Sequence, residues 1–137
     1  MKNIIILILI ICSVFLWGCN TTSMQRISGE KFSPKPPDAE VEMFVGTITR
    51  DHIPVAILNS KHYTDQSDDS KAKMLANLKE LAWEVGADAV MEIRILPKRF
   101  EGMVVDEKPP FPAWKPGNYY GYFMRGKAIV YRDKNNQ

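Results

Sequence analysis

The stretch Leu81-Ala82-Trp83-Glu84-Val85-Gly86-Ala87-Asp88-Ala89-Val90-Met91-Glu92-Ile93-Arg94-Ile95 changes its period in the middle. Up to Val85 it completes an apolar stripe at helical spacing, made of Met74, Leu75, Leu78, Leu81, Ala82 and Val85. Lys73, Asn77, Lys79, Glu80 and Glu84 lie off that stripe. Gly86 stands where a left-handed helix C-cap belongs. Beyond it the pattern alternates, so a strand is expected with Ala89, Met91, Ile93 and Ile95 on one face. The helical stripe is expected to pack a core, and the Asp88 carboxylate to satisfy backbone groups of the turn.

Outward from this unit the signals are shorter. Asp65-Gln66-Ser67-Asp68-Asp69-Ser70 offers capping oxygens and negative charge for the helix N-terminus. Glu40 to Val45 alternates, with Val41, Met43 and Val45 inward. Val55-Ala56-Ile57-Leu58 follows Pro54 at a strand start, with 46–53 as the connection. A last strand is expected over Tyr122–Arg132. Met124, Gly126, Ala128 and Val130 share one face, and Arg125, Lys127 and Tyr131 the other. Gly126 is read as the place where the helix crosses the sheet. The expected fold class is α+β, a small antiparallel or mixed sheet packed on one main helix. The expected order is β-β-α-β-β over residues 38–137, with the last two strands antiparallel.

Between those two strands, residues 97–120 form a long insertion rich in proline and aromatic residues. It holds Pro97, Pro109, Pro110, Pro112 and Pro116 beside Phe100, Phe111, Trp114, Tyr119 and Tyr120. Proline restrains the free chain and aromatic rings supply contact area. An ordered loop is expected, docked on its own sheet or gripping a partner, with Gly102-Met103-Val104-Val105 as a short strand within it. Phe111, Trp114, Tyr119 and Tyr120 are the candidate partner-binding residues.

The helix running into Gly86-Ala87-Asp88-Ala89-Val90, with a Gly126-Lys127-Ala128-Ile129-Val130 strand after it, resembles the YbjQ-like fold. That fold also includes the signalling domain of the envelope-stress lipoprotein RcsF. The resemblance spans roughly residues 41–132 without the insertion. It implies a fold and says little of function. The disulfides that an RcsF-like domain would carry have no cysteines here.

The chain opens with Met1-Lys2-Asn3 and an apolar run from Ile4 to Trp17. A membrane-spanning helix needs roughly 20 such residues, so residues 1–18 fit a signal peptide better. Leu16-Trp17-Gly18-Cys19 resembles the bacterial lipoprotein box, which implies cleavage before Cys19 and lipid on that cysteine. Trp17 departs from the small or medium residue usual there. Asn20, by enterobacterial sorting rules, implies the outer membrane, with the domain facing the periplasm. Several acyl chains hold a protein stably on a bilayer. Residues 19–37 are polar and proline-rich and are expected to form a flexible tether. Seventeen or so residues could reach roughly 55 Å when extended.

The formal net charge is +2, and about +1 once Lys2 is cleaved away, so nucleic acid is not an expected partner. Cys12 and Cys19 are the only cysteines, which leaves no disulfide within the domain. There is no Gly-x-Ser-x-Gly motif and no phosphate-cradling glycine loop, so an enzyme is not expected and no cofactor is implied. His52 and His62 are too widely spaced for a ligand pair on one element. They could converge with Asp65, Asp68 and Asp69 at one end of the sheet, or be solvated loop side chains; no metal site is assigned. The function expected is a lipid-anchored, non-enzymatic envelope protein that serves as a protein-interaction, sensing or structural module. The alternatives are a self-assembling, homo-oligomeric domain and a metal- or small-molecule-binding lipoprotein.

Overall fold

The computed structural model describes residues 22–107 and 113–132. Residues 1–18, where a signal peptide is expected, Cys19 and Phe111 lie outside them. The described chain runs β1 (Ser23–Arg26), β2 (Glu42–Met43), β3 (His52–Asn59), α1 (Asp68–Glu84), β4 (Ala89–Asp106) and β5 (Ala113–Tyr131). One helix packs on a five-stranded mixed sheet of order β1-β3-β5-β4-β2. The β2–β4 pair is parallel and every other pair antiparallel.

Both ends of α1 are written in local chemistry. Ser67 Oγ accepts from the Ser70 amide at 3.3 Å. Asp68 and Asp69 occupy the first turn, where negative charge is favoured, and pair with Lys71 and Lys73 one turn on. Asp65 accepts from Ser67 N, Ser67 Oγ and Ser70 Oγ at 2.6–2.8 Å. These bonds, the Ser67 hydroxyl foremost, hold its carboxyl down to about 2. A depressed carboxyl stabilises the fold above its unfolded value, about 4, and that contribution is lost as pH falls toward 2. Asp65→Asn should therefore flatten the fall in melting temperature between pH 4 and pH 2, as read by circular dichroism. An unchanged profile would mean the cap does not depend on the ionised carboxylate.

The C-terminus of α1 is a Schellman motif. Gly86 takes φ +73°, its amide donates to Trp83 O at 3.1 Å, and the Ala87 amide donates to Ala82 O at 2.9 Å. The chain leaves the cap straight into β4. The Asp88 carboxylate, expected to satisfy backbone groups of the turn, instead reaches across the fold, with Oδ2 accepting from the Tyr131 amide of β5 at 2.8 Å and Oδ1 paired to Lys35 Nζ at 2.5 Å.

Met74, Leu78, Leu81 and Ala82 of α1 are buried against Val55, Ala56, Leu58, Val90, Ile93, Met124 and Ala128 of the sheet. Leu78 stands over Gly126, where an added Cβ would meet Leu78 Cδ1 at 3.7 Å and Val90 Cγ1 at 2.4 Å. On the opposite face Ala89, Met91 and Ile129 form a smaller cluster with Ile48 and Tyr131.

Several expectations are corrected. The element order gains β1, paired with β3 from Ser23↔Asn59 to Arg26↔Ala56 inside the segment read as a tether. All four of its side chains are exposed. An edge strand that buries no side chain leaves no apolar period to find. The residues after it also dock: Lys35 N donates to Trp83 O at 2.8 Å, and Trp83 Nε1 donates to Ala39 O at 2.9 Å. The strand expected over Glu40–Val45 shrinks to Glu42–Met43, and Val45 is 81% exposed. Leu75 lies outside the buried stripe. Ala89 and Met91 do not share a face with Ile93, because the ladder slips between Met91 and Arg94 and Glu92 takes φ +56°. The slip also lets Glu92 reach Lys127 at 2.9 Å, an ion pair that lowers its carboxyl pKa.

Candidate functional site

The described part of the insertion, 97–107 and 113–120, is a ladder, not a loop. From Arg94↔Arg125 to Asp106↔Ala113, β4 and β5 pair without a further shift. β3 stops at Asn59; beyond it β5 is still met by Ser60, whose amide donates to Met124 O at 2.9 Å, and last by the bridge Tyr63↔Tyr122. Past that rung, among the described residues, β4 and β5 form a two-stranded arm with both outer edges open.

Alternation along the arm sets its two faces. Ile95 and Met124 pack on the helix-side core, so every second rung outward shares their side. Arg99 with Tyr120, Met103 with Pro116 and Val105 with Trp114 therefore continue the helix-side face beyond the last residue of α1 that could cover it. Trp114, Tyr120, Met103 and Val105 are 68, 63, 55 and 46% exposed. The opposite face carries Phe100 with Tyr119, Gly102 with Gly117 and Val104 with Lys115. There the rings of Phe100 and Tyr119 stack at 5.4 Å, and His62 lies on Phe100 at 4.0 Å. Gly121 makes room for this, since a Cβ there would meet Phe100 Cε2 at 2.7 Å. A Lys115–Asp106 ion pair of 2.6 Å closes the outer end. Of the candidate partner-binding residues, the fold thus sets Trp114 and Tyr120 on one face of the arm and the half-buried Tyr119 on the other.

The two edges differ in what they offer. Tyr122 exchanges both backbone bonds with Tyr63, at 2.7 and 2.8 Å, so Tyr122 and Pro97 point their backbone groups outward. Outward amides then recur on β5 at Tyr120, Asn118 and Trp114, with Pro116 interrupting them. On β4 they recur at Arg99, Glu101, Met103 and Val105 without interruption. Both prolines sit where their missing N–H breaks no rung, which is why these strands tolerate them. Between the 62–64 segment and the arm lies an open hollow of about 840 Å³, bordered by Tyr63, Met103, Val105, Trp114 and Tyr120.

No family model, curated protein or solved structure matches this chain. The site must be judged on its own geometry. Met103 and Val105 are contacts that the sequence does not single out, because Met103-Val104-Val105 is an unbroken apolar run and only the ladder assigns its members to faces. Sequence spacing carried no sign of His62 on the Phe100 ring. The convergence considered for the histidines does not occur. His52 opens β3, with Nδ1 2.7 Å from Arg50 O, while His62 follows the far end of that strand. The seven strand steps from His52 to Asn59 alone span about 23 Å, which keeps the two histidines at opposite ends of β3. Asp68 and Asp69 are engaged by lysines and Asp65 by serines. Among the described residues no group of three or more His, Cys, Asp or Glu side chains is gathered, and no helix is long and apolar enough to cross a membrane.

Elsewhere on the sheet, the Tyr131 hydroxyl donates to the Glu42 carboxylate while Arg50 lies 4.0 Å over its ring. Burial first, and the Glu42 bond second, push its phenol up to about 12. This cluster ties β2 to the end of β5 as a structural clasp.

Proposed function

We propose that this is a non-enzymatic protein-binding module, held on the outer membrane through lipid on Cys19, whose arm takes up an extended strand from a periplasm-facing partner protein. The observation that carries the proposal is the pairing of an uninterrupted open edge on β4 with the exposed side chains of Tyr120, Met103, Val105 and Trp114 on the face beside it, among which Arg99 and the Glu101–Asn118 rung are the polar members. Open edges recruit strands, and strand addition combines main-chain hydrogen bonds with pockets for alternate side chains. A two-stranded ribbon is marginal in water by itself, so a third strand over Arg99–Val105 would also steady the arm. Trp114 and Tyr120 are the anchors, being aromatic residues of the kind that dominate binding energy.

Period-two crosslinking tests this. Photoreactive side chains at Met103, Val105 and Trp114 should capture one common partner in cells, and those at Val104 and Lys115 should not. Trp114→Ala should weaken the captured complex by about 2 kcal/mol. Equal capture from both faces, or none, would overturn the proposal. The same open edges favour a second reading, pairing between copies of this chain, and sedimentation of the full-length protein separates the two. A strict monomer at high concentration removes self-assembly.

A further inference from the structure

On the face of the sheet opposite α1, where β1, β3, β5 and β4 lie side by side, a cavity of about 310 Å³ is bordered by Asn59, His62, Lys98, Phe100, Phe123 and Arg125. We propose that it binds a small organic anion, an oxyanion group joined to an aromatic or apolar body. This inference is independent of strand uptake by the arm, which uses the other face.

Arg125 is positioned rather than loose. Its Nε donates to Asn59 Oδ1 at 2.8 Å, and Asn59 Nδ2 donates in turn to Ser23 Oγ at 2.9 Å. The Phe123 ring lies 5.6 Å from the guanidinium carbon. Neither terminal nitrogen of Arg125 donates to any described residue, so its fork is left for an acceptor of matching geometry, and oxyanions match it in a bidentate manner. Lys98, two rungs along the same face, has no carboxylate partner among the described residues and rests 5.3 Å from the Phe100 ring. Two cations therefore converge on one hollow, whereas Lys127, farther down the sheet, is neutralised by Glu92.

The hollow is floored by rings. Phe100, kept in place by His62 above it and Tyr119 beside it, and Phe123 offer apolar surface between the two cations. Desolvation and then the Lys98 charge lower the His62 pKa, so near neutral pH its imidazole is uncharged and can border an apolar body without a desolvation penalty. A volume of this size lies at the low end of the small-molecule range, about 300–1,000 Å³. Inorganic phosphate alone would leave the rings unused, and a neutral arene would leave both cations unused.

Phenyl phosphate, inorganic phosphate and phenol titrated into the full-length chain in neutral detergent, with the Arg125 side-chain resonance followed by NMR, give the test. Phenyl phosphate should bind about tenfold or more tightly than either fragment. Arg125→Gln and Lys98→Gln should each reduce its affinity about tenfold, while Lys115→Gln, an equal charge change elsewhere on that face, leaves it intact. All three substituted positions are solvent-facing, and an unchanged melting temperature confirms folding. No binding of phenyl phosphate, equal affinity for all three probes, or an equal loss in Lys115→Gln would overturn the assignment.

Discussion

Gly86→Ala should destabilise the domain by about 2–5 kcal/mol, the sum of a left-handed backbone penalty of about 1–2 and an overpacking term of about 1–3. Two independent features converge on this glycine. Its φ of +73° disfavours any side chain, and an added Cβ would stand 2.4 Å from Ser33 O and 2.9 Å from Phe32 Cβ. The clash is with backbone, which cannot swing aside as a flexible side-chain end would. Relief requires moving the 32–35 segment, and with it the Lys35 N–Trp83 O bond and the Lys35–Asp88 ion pair. A fall in melting temperature of about 10–25 °C follows for a domain of this size. A loss below about 1 kcal/mol would mean that the 32–35 segment does not lie across the cap, because a left-handed alanine alone costs about that much.

The second large effect lies in the core. Leu78→Ala should cost about 2–5 kcal/mol, since Leu78 is fully buried and its removal opens a cavity between α1 and Gly126. Leu75→Ala on the same helix should cost less than about 1 kcal/mol, because Leu75 is 38% exposed. Denaturant unfolding of the pair under one set of conditions checks both values. Similar losses at the two positions would place the helix in a different rotation over the sheet.

The contrast between Leu75 and Leu78 shows how far the helix was legible. Composition at helical spacing located α1, its serine and aspartate N-terminus and its glycine stop. A stripe that includes both i and i+1 positions is wider than one packed face, so the exposed leucine could not be told apart. Gly126 does lie under the helix, but what requires glycine there is β4: an added Cβ would collide with Val90 and crowd Ile93, whereas Leu78 of α1 would meet it at an ordinary 3.7 Å.

Elsewhere the local signal and the tertiary outcome diverged for specific physical reasons. The slip at Glu92 reverses inside and outside along β4, and no single-residue preference announces a bulge at a glutamate. β1 contributes backbone bonds and no buried side chain, so it is silent in any hydrophobic pattern. The prolines of the arm read as strand breakers and predicted a loop. The two that the structure describes, Pro97 and Pro116, sit on outward backbone positions of open edges, where a strand loses nothing by carrying them. The partner-binding candidates suffered from the same error. Trp114 and Tyr119 look equivalent in a loop, and only ladder pairing assigns them to opposite faces.

The docking of β1 alters how a chain lipidated at Cys19 would stand on its bilayer. With Ser23 already hydrogen-bonded into the sheet through Asn59, the leash is not the stretch to Pro37 but the four peptide units from Cys19 to Ser23. At about 3.3–3.6 Å per residue these allow roughly 14 Å of travel. If Cys19 carries lipid as proposed, a domain on so short a leash would be held against the headgroups and would meet only what passes close to the membrane surface, at a local concentration far above that of a freely diffusing copy.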